Sequence, residues 1–548
     1  MHGGMDYWRD CTDCKDHDYD SSTYSFFAFQ FLDPDPDAVE ELRQGLLDTN
    51  MGIVAHYYMD VELQGVLQAL KQSPGMEHRV GIADSLKMGD LAVQMCQKND
   101  GVGVGVGVTG VICLGVDFMA ESVQAILQKH GFDQVPVYRA TAQAIGCSLA
   151  ESAEGDSYRA WLQQESQQES QQGSNININP LHVIYINTSL ETKAISSSIV
   201  PTITCTSSNV LQTLLQAAAQ VPDVRILYGP DTYMGHNLQT LLDVILATPD
   251  WTDAKIASDL HPAHSNATLQ TLRKNLVVFP QGNCVVHHMF GAQVVDRVRE
   301  SYYDDCFVTA HLEVPGEMFE IAMEKSLRDE GVVGSTSDIL TFISKKVEQA
   351  ANTTTTTATS PSRQRLRFIL GTEAGMVTSI VQSVQRILNE TGSRTVEAEI
   401  IFPVSSDAVM ATASENENED SGGDGENIPM PLVPGVSGGE GCSTAGGCAT
   451  CPFMKLNDLD RVVDIIGLKQ DGNQVRLAKH LPPNRLQGRW IDGRDATDLG
   501  TEAIMYMRQF MQSQRLPEEL VSKILAFRTS GGQRQPPQPQ PPQPPQQR

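Results

Sequence analysis

The sequence predicts an α/β fold of three repeated units. Each is a three-layer α/β/α sandwich on a parallel sheet, and the three are pseudo-threefold-related around a central active site. Three observations predict this. Short apolar strand patterns alternate with helical patterns, the arrangement that yields parallel sheets. One order of elements (strand, hydroxyl turn with helix, Gly-x-acid strand, last strand) runs three times, and ordered self-similarity marks repeated units. Each pass closes at a cysteine: Cys147, Cys284 or Cys451.

In the first pass a helical pattern from Ala38 precedes an apolar run, Gly52 to Tyr58. A helix from Val61 to Leu70 leads to a strand at Arg79 that ends in the polar turn Asp84-Ser85. A helix from Leu86 to Met95, the strand Gly110 to Asp117, a helix from Met119 to Leu127 and the strand Gln134 to Tyr138 complete it. The second pass repeats this order with strands at His182–Asn187, Ile203–Asn209, Val224–Asp231 and Leu276–Phe279. The third has strands at Phe307–Glu313, Gly331–Ser337, Leu366–Glu373 and Val396–Phe402. Gly115-Val-Asp117, Gly229-Pro-Asp231 and Gly371-Thr-Glu373 mark corresponding turns.

At 548 residues the chain exceeds one core, and two to four domains are expected. Residues 38–146 with 451–528 are read as the first unit plus C-terminal helices. Residues 147–283 are read as the second unit, with a polar insertion at 151–180. Residues 284–410 are the third, with a loop insertion at 353–362. An acidic insertion and cysteine knuckle fill 411–450, and residues 1–37 and 529–548 read as an acidic tail and a Pro/Gln-rich tail.

The formal charge of −27 argues against a nucleic-acid or anionic-membrane surface. No apolar run of about 18 residues suggests a membrane span. Eleven scattered cysteines suit a reducing compartment with a metal or cluster better than a disulfide scaffold. Cys11-x-x-Cys14 is read as incidental, and Cys113 and Cys205 as buried thiols. Cys442 and Cys448 are spare thiols or a redox-sensitive pair with Cys451; a zinc site at Cys448-x-x-Cys451 lacks a nearby fourth ligand. His287 and His288, which follow Cys284, are assigned to supporting or surface positions rather than ligation.

Each first strand ends in two polar residues two apart: His56 and Tyr58, Tyr185 and Asn187, His311 and Glu313. Period two would set each pair on one face, at the strand ends where ligands of parallel sheets gather. Ser85, Ser207 and Thr336 end the next strands, before helices. Any one hydroxyl alone reads as a helix cap. Three pairs in register, each with a hydroxyl turn, favour a common pocket for carboxylate or phosphate. If Cys147, Cys284 and Cys451 converge, three thiolates leave one coordination position open.

These residues resemble the quinolinate synthase (quinolinate synthetase A) family, in its plant and algal branch, over roughly residues 40–528. The matching stretches include Ala55-His-Tyr-Tyr58, Ala83-Asp-Ser-Leu86, Gly115 to Glu121, Tyr185-Ile-Asn-Thr188, Cys205 to Asn209, Gly282 to His287, Gly334 to Ser337 and Cys451-Pro-Phe-Met454. The resemblance implies a [4Fe-4S] cluster on Cys147, Cys284 and Cys451. It implies condensation of iminoaspartate with dihydroxyacetone phosphate to quinolinate, with release of phosphate and water, in NAD biosynthesis. His56, Ser85, Tyr185, Asn187, Ser207, His311, Glu313 and Thr336 would hold substrate. Tyr58 and Glu313, with His311, would move protons. Iron–sulfur assembly machinery and L-aspartate oxidase are the implied partners.

Plant relatives carry a plastid transit peptide and a desulfurase-activating domain. Residues 1–37 show neither, so a plastid address rests on resemblance and the cytoplasm is the alternative. The chain reads His311-Leu-Glu-Val314 where bacterial members commonly have His-Pro-Glu-Cys, which keeps both functional side chains. A non-catalytic iron–sulfur or zinc carrier is the competing class. It would need the cysteines but not the polar strand ends.

Overall fold

Twelve strands form three four-stranded parallel sheets, and all three have the same strand order: second, first, third, fourth. The computed structural model describes residues 34–59, 61–97, 107–167, 179–353, 364–373, 375–393, 395–403 and 451–527. Cys11, Cys14, Cys442, Cys448, the acidic insertion, residues 354–357 of the Thr run, residues 1–33 of the first tail and all of the second tail lie outside these residues; the first tail's last two residues, Pro36 and Asp37, begin a helix.

The first sheet holds β1 (Met51–His56), β2 (Val80–Ala83), β3 (Gly110–Leu114) and β4 (Val137–Arg139). The second holds β5 (Asn179–Tyr185), β6 (Thr202–Cys205), β7 (Val224–Gly229) and β8 (Leu276–Val278). The third holds β9 (Phe307–His311), β10 (Gly331–Gly334), β11 (Gln364–Gly371) and β12 (Val396–Ile401). Every residue of β1, β3 and β5 is buried, as expected for strands covered on both faces. β12 instead alternates, and its Glu399 pairs across the register with Arg367 at 3.0 Å, a polar finish suited to a sheet edge.

Helices α1 (Pro36–Thr49), α2 (Val61–Gln72), α3 (Ser85–Gln97) and α4 (Asp117–Lys129) belong to the first pass. The stretch expected to be a polar insertion is helical in its described part: α5 (Ser148–Glu154) and α6 (Asp156–Gln167). Tyr158, Leu162 and Ser166, four apart, form the narrow buried stripe of α6. Its other faces carry the Gln and Glu that disguise it as a loop. The Tyr158 hydroxyl meets His182 Nε2 at 2.9 Å, and the ring packs on Phe279.

Helices α7 (Leu190–Ile199), α8 (Val210–Gln220), α9 (Thr232–Ala247), α10 (Asp253–Lys255), α11 (Asn266–Asn275) and α12 (Ala292–Ser301) follow. Then come α13 (Gly316–Ser326), α14 (Thr336–Thr353), α15 (Met376–Thr391), α16 (Leu459–Gln470), α17 (Gln474–Leu477), α18 (Ala496–Ser513) and α19 (Glu518–Ala526). Helix α18 is buried along its length against α7 and β6. Among the described residues no helix is long and apolar enough to cross a membrane.

The chain clusters into two compact units. Among the described residues, one contains 34–39, 57–69, 286–403 and 451–455, with the third sheet; the other contains 40–56, 70–285 and 456–527, with the first and second sheets.

The strand ends differ from the period-two expectation. β1, β5 and β9 stop at His56, Tyr185 and His311. Tyr58, Asn187 and Glu313 lie two residues further, in the following turns, so no single strand face holds a pair. The backbone leaves the sheet because these polar side chains sit where the chain must bend into the crossover helix.

Candidate active site

In an open parallel sheet of this strand order, the crevice opens where the chain departs in opposite directions, outside the ends of the first and third strands. In the third sheet those ends carry His311 and Glu313 after β9, and Thr372 and Glu373 after β11. Thr336 follows β10 beside them. All five are buried.

Two further segments complete this cluster. His287, only 1% exposed, stacks on His311 with ring centroids 4.9 Å apart and planes 17° apart. Its Nδ1 lies 3.2 Å from Glu313 Oε2, while His311 Nδ1 lies 3.7 Å from Glu313 Oε1. Its Nε2 faces Thr372 Oγ1 at 3.4 Å. That hydroxyl is 3.4 Å from the Tyr58 phenol oxygen, which is 3.1 Å from Thr336 Oγ1. A continuous string therefore runs Glu313–His287–Thr372–Tyr58–Thr336. Burial, and then the charges of Glu313 and Glu373, push the Tyr58 phenol far above its ordinary value, so it stays a neutral hydroxyl. Glu373 Oε1 accepts the Cys451 backbone N–H at 2.6 Å and fixes the start of the Cys-Pro-Phe-Met segment.

The hydroxyl turns are not caps. Helix α14 is capped by Ser335, whose hydroxyl accepts from Asp338 N while the Asp338 carboxylate accepts from Ser335 N at 2.7 Å. Thr336 is thereby released to meet Tyr58. Helix α3 is capped by Asp84, which accepts from Lys87 N at 3.0 Å, and Ser85 is its first helical residue. Helix α8 has no side-chain cap, and Ser207 lies in the turn before it, half-buried.

In the other unit, His56 and Tyr185 are buried at the ends of β1 and β5, and Asn187 is half-buried in the bend beyond. Cys147 and Cys284 are drawn together by Ser148, whose hydroxyl donates to Asn283 O at 3.1 Å and accepts from Val285 N at 3.3 Å. Ser148 thus follows one cysteine and brackets the other. The Gly282-Asn-Cys284 segment lies flush on the Gly229-Pro-Asp231 turn: a Cβ on Gly282 would sit 2.1 Å from Pro230 O. The three Gly-x-acid carboxylates have separate duties. Asp117 pairs with Arg139 at 2.6 Å, Asp231 caps α9 through Met234 N at 2.8 Å, and Glu373 holds Cys451.

Cys147, Cys284 and Cys451 are each partly exposed, and the other described cysteines, Cys96, Cys113, Cys205 and Cys306, are buried. Burial pushes the Cys113 thiol up to about 12 and that of Cys96 up to about 11. Cys113 and Cys205 are thus the buried thiols expected.

A buried pair also underlies the Asn187 bend. Lys193, fully buried, donates to the carbonyls of Ile186 (3.0 Å) and Thr188 and to Thr188 Oγ1 (3.0 Å). Glu121, on α4, accepts Leu190 N at 2.8 Å. Desolvation lowers the Lys193 pKa and raises that of Glu121, and each opposite charge counteracts the other's shift.

Three residues of this constellation escaped sequence reasoning. The sequence places His287 and His288 in supporting or surface positions; His288 is exposed, and His287 is buried at the centre of the cluster. Its signal was spacing alone, three residues after Cys284. Thr372 carries none, and neither does Gln64, whose amide on α2 donates to Gly375 O at 2.8 Å just after Glu373, because a hydroxyl in a turn and an amide in a helix are common in both structural and functional settings.

Comparison with known proteins identifies the family. The profile of the family described as "NadA: Quinolinate synthetase A protein" matches residues 38–391. The chain is 43% identical over 500 residues to "Quinolinate synthase, chloroplastic" of Arabidopsis thaliana, covering 91% of this chain and 64% of that protein. It is 41% identical over 508 residues to the protein of the same name from Oryza sativa subsp. japonica, covering 92% of this chain and 67% of that protein. A quinolinate synthase of Synechocystis is 25% identical over 343 residues, 62% of this chain and 73% of that one. The chain thus spans slightly less than two thirds of the Arabidopsis relative. With its profile match running through the first two sheets and most of the third, the chain belongs to the quinolinate synthetase A family.

Proposed function

We propose that this chain is a quinolinate synthase. It would condense iminoaspartate with dihydroxyacetone phosphate to quinolinate, releasing phosphate and water. The observation that carries the proposal is the buried Glu313–His287–Thr372–Tyr58–Thr336 string at the strand ends of the third sheet. A carrier or scaffold has no use for a carboxylate, two stacked imidazoles and a phenol held in mutual contact away from water.

Ring formation from these substrates requires protons to leave carbon and to reach departing hydroxyl oxygens. Glu313, within reach of both His287 and His311, suits the removal and return of protons. The Tyr58 hydroxyl, kept neutral, suits donation toward a substrate oxygen. Thr336 at the first turn of α14, and Ser85 at that of α3, place hydroxyls beside helix N-termini, where carboxylate or phosphate is favoured. His56, Tyr185, Asn187 and Ser207 are assigned to substrate as well.

The family implies a [4Fe-4S] cluster, and Cys147, Cys284 and Cys451 would hold it. Cys147 and Cys284 are tied to each other through Ser148, Cys451 is fixed by Glu373, and all three thiols are partly exposed. Held by these three, the cluster would supply an iron with an open position, a Lewis acid for a substrate hydroxyl or carboxylate. The same reading names a plastid location, iron–sulfur assembly machinery, and an aspartate-oxidising enzyme such as L-aspartate oxidase as the source of iminoaspartate.

Expression in a nicotinate-requiring bacterial strain that lacks its own quinolinate synthase tests the proposal. Growth without nicotinate, lost on Glu313→Gln, is expected. Growth that survives Glu313→Gln, or no growth with soluble cluster-bearing protein, would contradict it.

A further inference from the structure

The turns that present Tyr58 and Asn187 are held in the same way, by residues at the same place in two repeats. β1 ends at His56, and Gln64 donates through Nε2 to the carbonyls of Tyr57 and Met59, the residues on either side of Tyr58. β5 ends at Tyr185, and Lys193 donates through Nζ to the carbonyls of Ile186 and Thr188, on either side of Asn187. Both donors lie seven and five residues beyond their two acceptors. Both sit within the crossover helix after the turn, α2 or α7, and both are wholly buried.

An amide and an ammonium are chemically unlike, yet each is a multiple N–H donor. Each satisfies carbonyls that the bend has removed from the sheet and that have no water to turn to. The third repeat has no N–H donor side chain at this position. The equivalent position is Phe319, and its turn closes on itself, with Val314 N donating to His311 O at 3.3 Å and Glu313 N meeting His311 Nδ1 at 3.3 Å. Gln64 extends further: Gly375 O also lies 2.8 Å from its Nε2, so the two amide hydrogens are shared among three carbonyls, and its Oε1 accepts from the Ser379 hydroxyl at 3.4 Å. It thereby ties the Tyr58 turn to the segment just after Thr372 and Glu373. A side chain on Gly375 would collide with the Tyr58 backbone at 2.9 Å, so this approach requires glycine.

We infer that Gln64 and Lys193 are equivalent positioning residues, each fixing by two backbone carbonyls the turn that aims one functional side chain, Tyr58 or Asn187. The inference rests on the proposed assignment of those two side chains to the site. Neither donor touches substrate in this account. Each acts through the turn, where a displacement of about 1 Å is enough to lower turnover about 10²-fold.

The test uses full-length, cluster-loaded protein. Gln64→Leu removes the first clamp. For the second, Glu121→Gln/Lys193→Met removes clamp and buried charge together, so that no unpaired carboxylate confounds folding. Glu121→Gln/Lys193→Gln installs in the second repeat the amide that serves in the first. We expect kcat for quinolinate formation to fall about 10²-fold in Gln64→Leu and in the Met double variant, and to stay within about tenfold in the Gln double variant.

We further expect the Gln64→Leu loss to shrink to under about threefold in a Tyr58→Phe background, because coupled residues are not additive. Hydrogen exchange reads the clamp without activity: peptides covering 57–59 or 186–188 should lose protection selectively, while 311–314 keeps it. Full multiplicative losses, equal activity of the Met and Gln double variants, or uniform loss of protection at all three turns would overturn the inference. If the wild type makes no quinolinate, the proposed reaction fails, and the exchange pattern alone decides the positioning role.

Discussion

The ring of His287 lies on the ring of His311, 4.9 Å between centroids, and both Nδ1 atoms point toward the one carboxylate of Glu313. One imidazole comes from the strand β9 and the other from the loop after Cys284. The carboxylate therefore faces one imidazole from two residues upstream, whose Nδ1 is 3.3 Å from the Glu313 backbone N–H, and one from a segment distant in sequence, His287, at 3.2 Å.

Glu313→Gln keeps the volume and removes the base. Loss of a positioned acid–base group lowers turnover about 10²- to 10⁴-fold. We expect a fall in this range in an anaerobic quinolinate assay, with the melting temperature little changed. His287→Phe keeps the stack but not the contact with Glu313, and should lower kcat more than it raises KM. Unchanged kcat in either variant would remove the string from the mechanism.

Cysteine reactivity separates candidate ligands from core thiols. In cluster-free protein at pH 8, iodoacetamide should label Cys147, Cys284 and Cys451, which are partly exposed. It should spare Cys96, Cys113, Cys205 and Cys306, whose thiols are buried and shifted upward. Peptide mass spectrometry reads the pattern, and the cluster should protect the first three. Early labelling of Cys113 would contradict the described core.

Stability should fall with acid through His182. Burial beside Tyr158 lowers its pKa from 6.5 to about 3, so the folded chain keeps it neutral while the unfolded chain protonates it below pH 6.5. The unfolded state then binds more protons, and stability drops as pH falls from about 6.5 toward 3, by about 1.4 kcal/mol per pH unit. Below the folded pKa the dependence ends. Thermal melts of wild type and His182→Gln between pH 7 and 5 should show a shallower acid slope in the variant. Equal slopes would mean that His182 is protonated in the fold.

The twelve strands of the three parallel sheets are legible because buried parallel strands are written as apolar runs between turns, as in Met51–His56. β5 nevertheless begins three residues before the expected His182, and the short pair Trp490–Ile491 and Arg494–Asp495 is not legible. The hydroxyl turns were legible as a set, but not their freedom from capping. Only coordinates show that Asp84 and the Ser335–Asp338 pair cap the helices. Helix α6 was hidden because three buried residues in twelve leave a Gln-rich exterior. His287 was hidden because its role comes from contact with β9, which no local pattern encodes. Lys193 and Gln64 were hidden because their equivalence is one of geometry and not of residue type.

The most direct measurement is anaerobic reconstitution with iron and sulfide, followed by assay of quinolinate from iminoaspartate and dihydroxyacetone phosphate. The account predicts a brown, oxygen-sensitive protein that makes quinolinate. Cys147→Ala, Cys284→Ala and Cys451→Ala should each abolish the product, while Cys448→Ala should retain it. Tight zinc binding with no cluster, or a cluster that survives loss of any one of those three cysteines, would contradict it.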